Sequence, residues 1–216
     1  VHAATVHRSR EGTLRVRFRQ PFEPDERGRL AQRRLQTVFQ QRGDLTDAVL
    51  FESFAGKNVA DSPKALCAEL LRRDTGLELY WTVEDLTRPV PAGTTPLLLH
   101  SRRWLETLHR ARYLVNNNNF PFYFRKQPDQ VYLQTWHGTP LKKIGNDVPM
   151  TSLSLPYRSL MTREPCYWDY LLAQNPFAAE TLPAAFGYGG EVIDLGYPRN
   201  DALVTSPPAV RANVRR

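Results

Sequence analysis

One stretch of this sequence carries residue types that move protons and hold negative charge: Thr135-Trp136-His137-Gly138-Thr139-Pro140-Leu141-Lys142-Lys143. An imidazole changes charge near neutral pH, so it can take a proton from a hydroxyl at a reacting centre. Two lysines a few residues further on can hold a phosphate. The combination predicts a turn that handles a phosphorylated substrate. By residue type alone His137 keeps a second reading, as a strand cap bonded to the backbone.

The turn needs a scaffold, and its neighbours supply one. Gln130-Val131-Tyr132-Leu133-Gln134 reads as a buried strand that delivers the histidine at its carboxyl end. In an open α/β sheet, ligands bind outside the carboxyl ends of the strands. Three other strand ends offer suitable chemistry. Gly56-Lys57 follows the apolar run Ala48–Phe51, Asn116-Asn117-Asn118-Asn119 follows Tyr113–Val115, and Arg199-Asn200-Asp201 follows Glu191–Leu195. Asparagine runs favour turns and offer amide donors and acceptors. The expected site therefore has His137 as the catalytic group. Gly56, Lys57, Asn116, Asn117, Gly138, Thr139, Lys142, Lys143, Arg199 and Asp201 are the substrate- or phosphate-binding candidates.

The other histidines lack such a setting. His2 and His7 fall in a basic terminal stretch, His100 at a strand end or loop, and His109 inside an amphipathic helix. Structural or solvent-exposed roles are expected for all four. Gly56-Lys57 is not a P-loop, and no Gly-x-Gly-x-x-Gly follows a strand, which argues against ordinary nucleotide hydrolysis and dinucleotide binding. No Gly-x-Ser-x-Gly elbow points to a serine hydrolase. His, Cys, Asp and Glu show no metal-ligand spacing, Asp85 and Asp147 read as isolated loop caps, and no covalently bound cofactor is expected.

The strands alternate with helices. Helices are predicted from Ser62-Pro63, with Ser62 as N-cap and Gly76 as terminator, over Arg102–Arg110, and from Pro176 to Phe186 with a bend near Pro183. Leu66 with Leu70 and Cys67 with Leu71 form the buried face of the first. Strands are expected at Leu77–Val83, Leu97–Leu99 and Tyr170–Ala173, and residues 142–168 read as mostly irregular, with a loop or short helix over Met150–Tyr157. This spacing predicts βαβ units and a Rossmann-like, mainly parallel sheet over residues 46–203. Residues 21–45 read as a basic amphipathic helix and linker, with Leu30, Leu35, Val38 and Phe39 apolar among Arg and Gln. Its positive face has two readings, a solvated surface and a membrane- or acceptor-facing one. Leu14–Phe18 alternates apolar and charged residues as a lone strand, so residues 1–20 read as the tail of an upstream region, and residues 204–216 as the start of a linker.

With 216 residues, 41% hydrophobic and 11% aromatic, the chain can build a core. The net charge of +7 suits a polyanionic substrate, an anionic membrane face or nucleic acid. Zinc-finger spacing and an aromatic RNA-binding strand are both missing, so nucleic acid is not expected. Cys67 and Cys166 are far apart and read as unpaired thiols, which fits a cytoplasmic protein.

Together with Phe51-Glu52-Ser53-Phe54-Ala55-Gly56-Lys57 and Gly196-Tyr197-Pro198-Arg199-Asn200-Asp201, the Trp-His-Gly-Thr-Pro-Leu-Lys block resembles the CDP-glycerol glycerophosphotransferase family of teichoic acid polymerases and primases. The resemblance implies one half of a GT-B-type two-domain fold, the acceptor-side half, with a donor domain lying beyond Arg216. It implies transfer of glycerol phosphate from the donor substrate CDP-glycerol to the hydroxyl end of a polyol-phosphate or lipid-linked acceptor, with release of CMP, at the inner face of the cell membrane. His137 then matches the motif histidine proposed as general base. On that mapping the isolated chain is expected to be inactive. Transfer of another polyol phosphate such as ribitol phosphate, and a non-catalytic module that holds an acidic polymer or membrane, are the alternatives.

Overall fold

The computed structural model describes residues 3–9, 11–19, 22–152 and 154–205. Strands β1 (Ala3–Arg8) and β2 (Leu14–Arg19) pair antiparallel, with Val6 opposite Val16, in a two-stranded sheet of their own. Leu14–Phe18 is thus not a lone strand. Its partner lacks regular alternation, and Gly12, at a φ of 81°, makes the tight turn that brings the two together.

Helix α1 (Gly28–Phe39) follows. It buries Leu35 and packs Phe39 against the core, while Leu30 and Val38 are 72% and 54% exposed. The apolar stripe predicted for this helix is therefore split. Leu35 and Phe39, one turn apart, face inward, and the other two face solvent.

The remaining elements alternate: β3 (Thr46–Glu52), α2 (Asp61–Arg73), β4 (Glu78–Val83), β5 (Thr95–Leu98), α3 (Arg102–Arg110), β6 (Ala111–Asn116), β7 (Val131–Gln134), α4 (Leu155–Arg163), β8 (Tyr170–Ala173), α5 (Pro176–Phe186), β9 (Glu191–Asp194) and α6 (Ala202–Thr205). Seven strands form one parallel sheet in the order β5-β4-β3-β6-β7-β8-β9. The chain runs from β3 outward to β5 and returns to place β6 on the other side of β3. That reversal creates a crevice at the carboxyl ends of β3 and β6, where Glu52 lies opposite Asn116.

Period-two alternation builds the two faces. Leu50, Leu114, Tyr132 and Leu171 point to one side, where Trp104, Leu105 and Leu108 of α3 and Leu182 and Phe186 of α5 bury them. Val49, Phe51 and Trp81 point to the other and meet Cys67 of α2. There Phe51 stacks on Trp81 at 5.3 Å, and the Trp81 indole donates to the Cys67 thiol at 3.4 Å. Each of these large side chains contributes roughly 1.5–3 kcal/mol by leaving water. Beside α2, a groove of about 530 Å³ runs over Tyr113, Val115, Leu133 and Ile193. Cys67 is a buried free thiol, and Cys166 is free and exposed.

Three local expectations change. Helix α2 begins at Asp61 with Ala60 at the N-cap, and Ser62 is a buried residue of its first turn. It ends at Arg73, with Asp74 taking the left-handed cap position expected of Gly76. Residues 142–168 are less irregular than expected, because Pro156 sits at the start of α4, where a missing N–H costs nothing. Pro183 lies inside α5.

Candidate functional site

His137 stands three residues past the end of β7, at the rim of a hollow of about 280 Å³ shared with Trp136, Gly138, Thr139, Leu141 and Lys142. The larger groove beside α2 shares no residue with it. Trp136 has a left-handed backbone, φ 50°, which turns two successive side chains to the same side. The rings of Trp136 and His137 stack with centroids 4.4 Å apart and 21° between planes. Phe54, from the loop after β3, lies 6.0 Å away on a tilted plane. His137 is exposed on its open side, yet these neighbours desolvate the ring.

That partial burial lowers the His137 pKa; Asp61 pulls it up and Arg199 pushes it down. The imidazole is therefore neutral at neutral pH and able to accept a proton. His100 and His109 are placed differently. His100 shares a 2.7 Å hydrogen bond with the Tyr123 hydroxyl, and His109 is buried with Nδ1 against the Leu105 carbonyl. The side chains of His2 and His7 lie outside the described residues.

A chain of hydrogen bonds ties the strand-end loops together behind His137. Arg199 Nη1 donates to Asp61 Oδ1 at 2.9 Å and to the His137 carbonyl at 3.0 Å. Asn117 Nδ2 donates to Asp61 Oδ2 at 2.9 Å, and the Phe54 N–H donates to Asn117 Oδ1 at 2.9 Å. The Arg199 guanidinium also lies over the Tyr197 ring at 4.9 Å. Four loops are thus joined through one carboxylate.

The sequence-predicted candidates divide by what they reach. Asn117 and Arg199 join His137 through this network. Asn116 is fully buried and faces inward, donating to Glu52 Oε1 at 3.3 Å and accepting from the Asn118 N–H at 2.8 Å. Gly56 is buried at φ 76°; a Cβ there would meet Thr82 Cγ2 at 3.1 Å, and its carbonyl accepts from the Glu84 N–H. Its role is the close approach of two loops. Lys57, Lys142 and Lys143 are exposed, and Lys142 lines the hollow. Gly138 has an ordinary backbone conformation with open space around it, and its carbonyl is 3.5 Å from the Tyr197 hydroxyl. Thr139 lines the same hollow, and its carbonyl accepts from the Leu141 N–H. Asp201 is exposed and caps the last turn through its carbonyl, which accepts from Val204 and Thr205.

Asp61 escaped the reading of the sequence, as did Phe54 and Trp136 as ring partners. The one signal for Asp61 was its position, an acid at the start of a helix that leaves the carboxyl edge of a parallel sheet. Four of the six non-glycine residues with left-handed backbone among the described residues, Phe54, Ala55, Asp61 and Trp136, lie in these loops. Strain of that kind concentrates where surrounding contacts over-determine a functional geometry. Below the loops, burial raises the Glu52 carboxyl to about 8, which keeps it mostly protonated at neutral pH, and raises Glu164 to about 7.

Comparison with known proteins gives the family and the fold. Residues 31–216 match the family described as CDP-glycerol:poly(glycerophosphate) glycerophosphotransferase. The teichoic acid poly(glycerol phosphate) polymerase of Staphylococcus epidermidis is 35% identical over 175 residues, covering 74% of this chain and 24% of that protein. The teichoic acid glycerol-phosphate transferase of Staphylococcus aureus is 35% identical over 162 residues, covering 72% of this chain and 41% of that protein. The wall teichoic acid polymerase TagF has a similar structure, with a TM-score of 0.77 at 28% identity over 85% of this chain and 50% of that one. The chain spans between about a quarter and half of these proteins' lengths.

Proposed function

This chain belongs to the CDP-glycerol:poly(glycerophosphate) glycerophosphotransferase family, and we propose that it supplies the acceptor-side half of an enzyme that transfers glycerol phosphate from CDP-glycerol to the hydroxyl end of a teichoic-acid-type acceptor. In that reaction the acceptor oxygen attacks the phosphorus that bears glycerol. The bond from that phosphorus to CMP breaks, CMP leaves, and the hydroxyl proton passes to His137. A new phosphodiester joins glycerol to the chain end.

The observation that carries this reading is the setting of His137. It is a neutral imidazole on the open rim of a hollow at the carboxyl edge of a parallel sheet, with Lys142 beside it. A base must lie within reach of the proton and be deprotonated at working pH, and negative charge on the phosphoryl oxygens needs a nearby cation. Lys142, Lys143 and Lys57 fit that task because their ammonium groups reach solvent. The guanidinium of Arg199 is already engaged by Asp61 and by the His137 carbonyl.

The donor-binding half is assigned to polypeptide outside these residues, in keeping with relatives more than twice as long as the matched segment. Attachment to the inner membrane face fits the net charge of +7 and the exposed Leu30 and Val38 on arginine-rich α1. No helix of the described residues is long and apolar enough to cross a membrane.

The test is His137→Ala in the full-length polymerase. Loss of CMP release with acceptor binding retained supports the base assignment; unchanged turnover overturns it. The 216-residue chain alone should release no CMP from CDP-glycerol, and robust release would refute its assignment as one half of the site.

A further inference from the structure

We infer that Asp61 is a positioning residue of this site, its carboxylate holding Arg199 against the turn of His137 and balancing the guanidinium charge beside the imidazole. The inference rests on the reading of His137 as the base. It starts from geometry. Both carboxylate oxygens are occupied, Oδ1 by the Ser62 N–H at 2.7 Å and Arg199 Nη1 at 2.9 Å, and Oδ2 by Asn117 Nδ2 at 2.9 Å. The side chain of Asp61 is 3% exposed, and that of Arg199 is 33% exposed. Asp61 also keeps a left-handed backbone, φ 64°, a conformation that a residue with a Cβ rarely adopts without compensating bonds. Its contacts join segments that are 56 and 138 residues apart in the chain.

The second strand of the argument is electrostatic. Two charges that shift the His137 ring are Asp61, from α2, and Arg199, from the turn after β9. The loop after β3 presents the uncharged Phe54 ring, the loop after β6 presents the Asn117 amide, and Lys57, Lys142 and Lys143 are exposed. Desolvation already favours the neutral imidazole. With Arg199 alone beside it, the imidazolium formed by proton transfer would lose the compensating negative charge of Asp61. Asp61 thereby does two things with one side chain: it fixes the arginine that grips the His137 carbonyl, and it offsets that arginine's field where positive charge develops. A contact that held only the loops together would do the first without the second.

Titration of the five histidine imidazoles by NMR in this chain, with His137 assigned through His137→Gln, separates the two roles. Asp61→Asn should move the His137 midpoint down by roughly half a pH unit or more, and Arg199→Gln should move it up. The double substitution should fall between them. In the full-length polymerase the acid limb of kcat/KM should follow the same directions. A folded Asp61→Asn chain with an unmoved or raised midpoint overturns the inference. Where Asp61→Asn does not fold, Arg199→Gln decides, and an unmoved or lowered midpoint overturns it. Intact CMP release by His137→Ala would instead remove the base assignment and leave the titration result standing.

Discussion

Trp136 and His137 are neighbours in sequence and also in space, their rings stacked 4.4 Å apart. Successive side chains of an extended strand point to opposite faces, so such stacking requires the left-handed turn that Trp136 makes. The indole also packs edge-on to Phe186 of α5 at 4.8 Å, which anchors the stack to the core. Trp136→Ala should therefore act on both stability and chemistry. Loss of a half-buried aromatic should cost about 2–3 kcal/mol in denaturant unfolding. With one wall of the ring removed, burial of His137 relaxes and its pKa should rise toward 6.5. The acid limb of the rate profile would move up. Trp136→Phe should keep most of both properties.

Burial raises the Glu52 carboxyl from 4.5 to about 8, so the folded protein holds this proton where the unfolded chain releases it. The unfolded state then binds fewer protons, and stability falls as pH rises from about 4.5 to about 8. Glu164 adds a parallel loss that ends near 7. Glu52→Gln cannot ionise and keeps an oxygen to accept from Asn116. Its melting temperature should match the parent near pH 4.5 and exceed it at pH 8, a gain in stability on the order of 4 kcal/mol. A lower melting temperature than the parent at pH 8 would refute the neutral-acid assignment.

Much of the scaffold was legible because it depends on local patterns. The helix over Arg102–Arg110 and the strand over Tyr170–Ala173 have the predicted bounds, since both pair strong periodicity with clear breakers. His137 was legible as a histidine at a strand end. Asp61 was not, because its place in the network comes from partners contributed by two other loops, and nothing in Ala60-Asp61-Ser62-Pro63 registers them. The asparagines show the complementary failure. Amide groups in a turn look equally suited to a ligand or to the backbone, and only the tertiary structure shows that Asn116 bonds Glu52 and Asn117 bonds Asp61. Leu30 and Val38 mark another limit, since a helix with apolar residues on more than one face does not declare which of them the core will take.

Gly145 closes the segment that begins at His137. Its φ is 53°, and a Cβ built there would stand 2.2 Å from the Ala185 carbonyl oxygen of α5. That atom belongs to helical backbone and cannot rotate away. Gly145→Ala should destabilise the chain by roughly 3 kcal/mol or more, from the forced backbone shift together with the left-handed strain. The loop carrying Lys142 and Lys143 would be displaced with it. Chemical denaturation measures the loss, and a change under about 1 kcal/mol would show that the loop moves freely against α5.

Lys142 and Lys143 allow the opposite test, function without stability. Both are exposed, so replacing either with Ala should change unfolding free energy by no more than about 0.5 kcal/mol. If they hold phosphate groups of the donor or acceptor, each loss should raise KM several-fold, and the double variant more. The dependence of KM on ionic strength should weaken in parallel, because a screened contact has been removed. The pH profile set by His137 should stay where it is. Lysines that serve only solubility would leave KM and its salt dependence unchanged. A change in the pH profile alone would instead place their charge in the field of the imidazole, alongside Asp61 and Arg199.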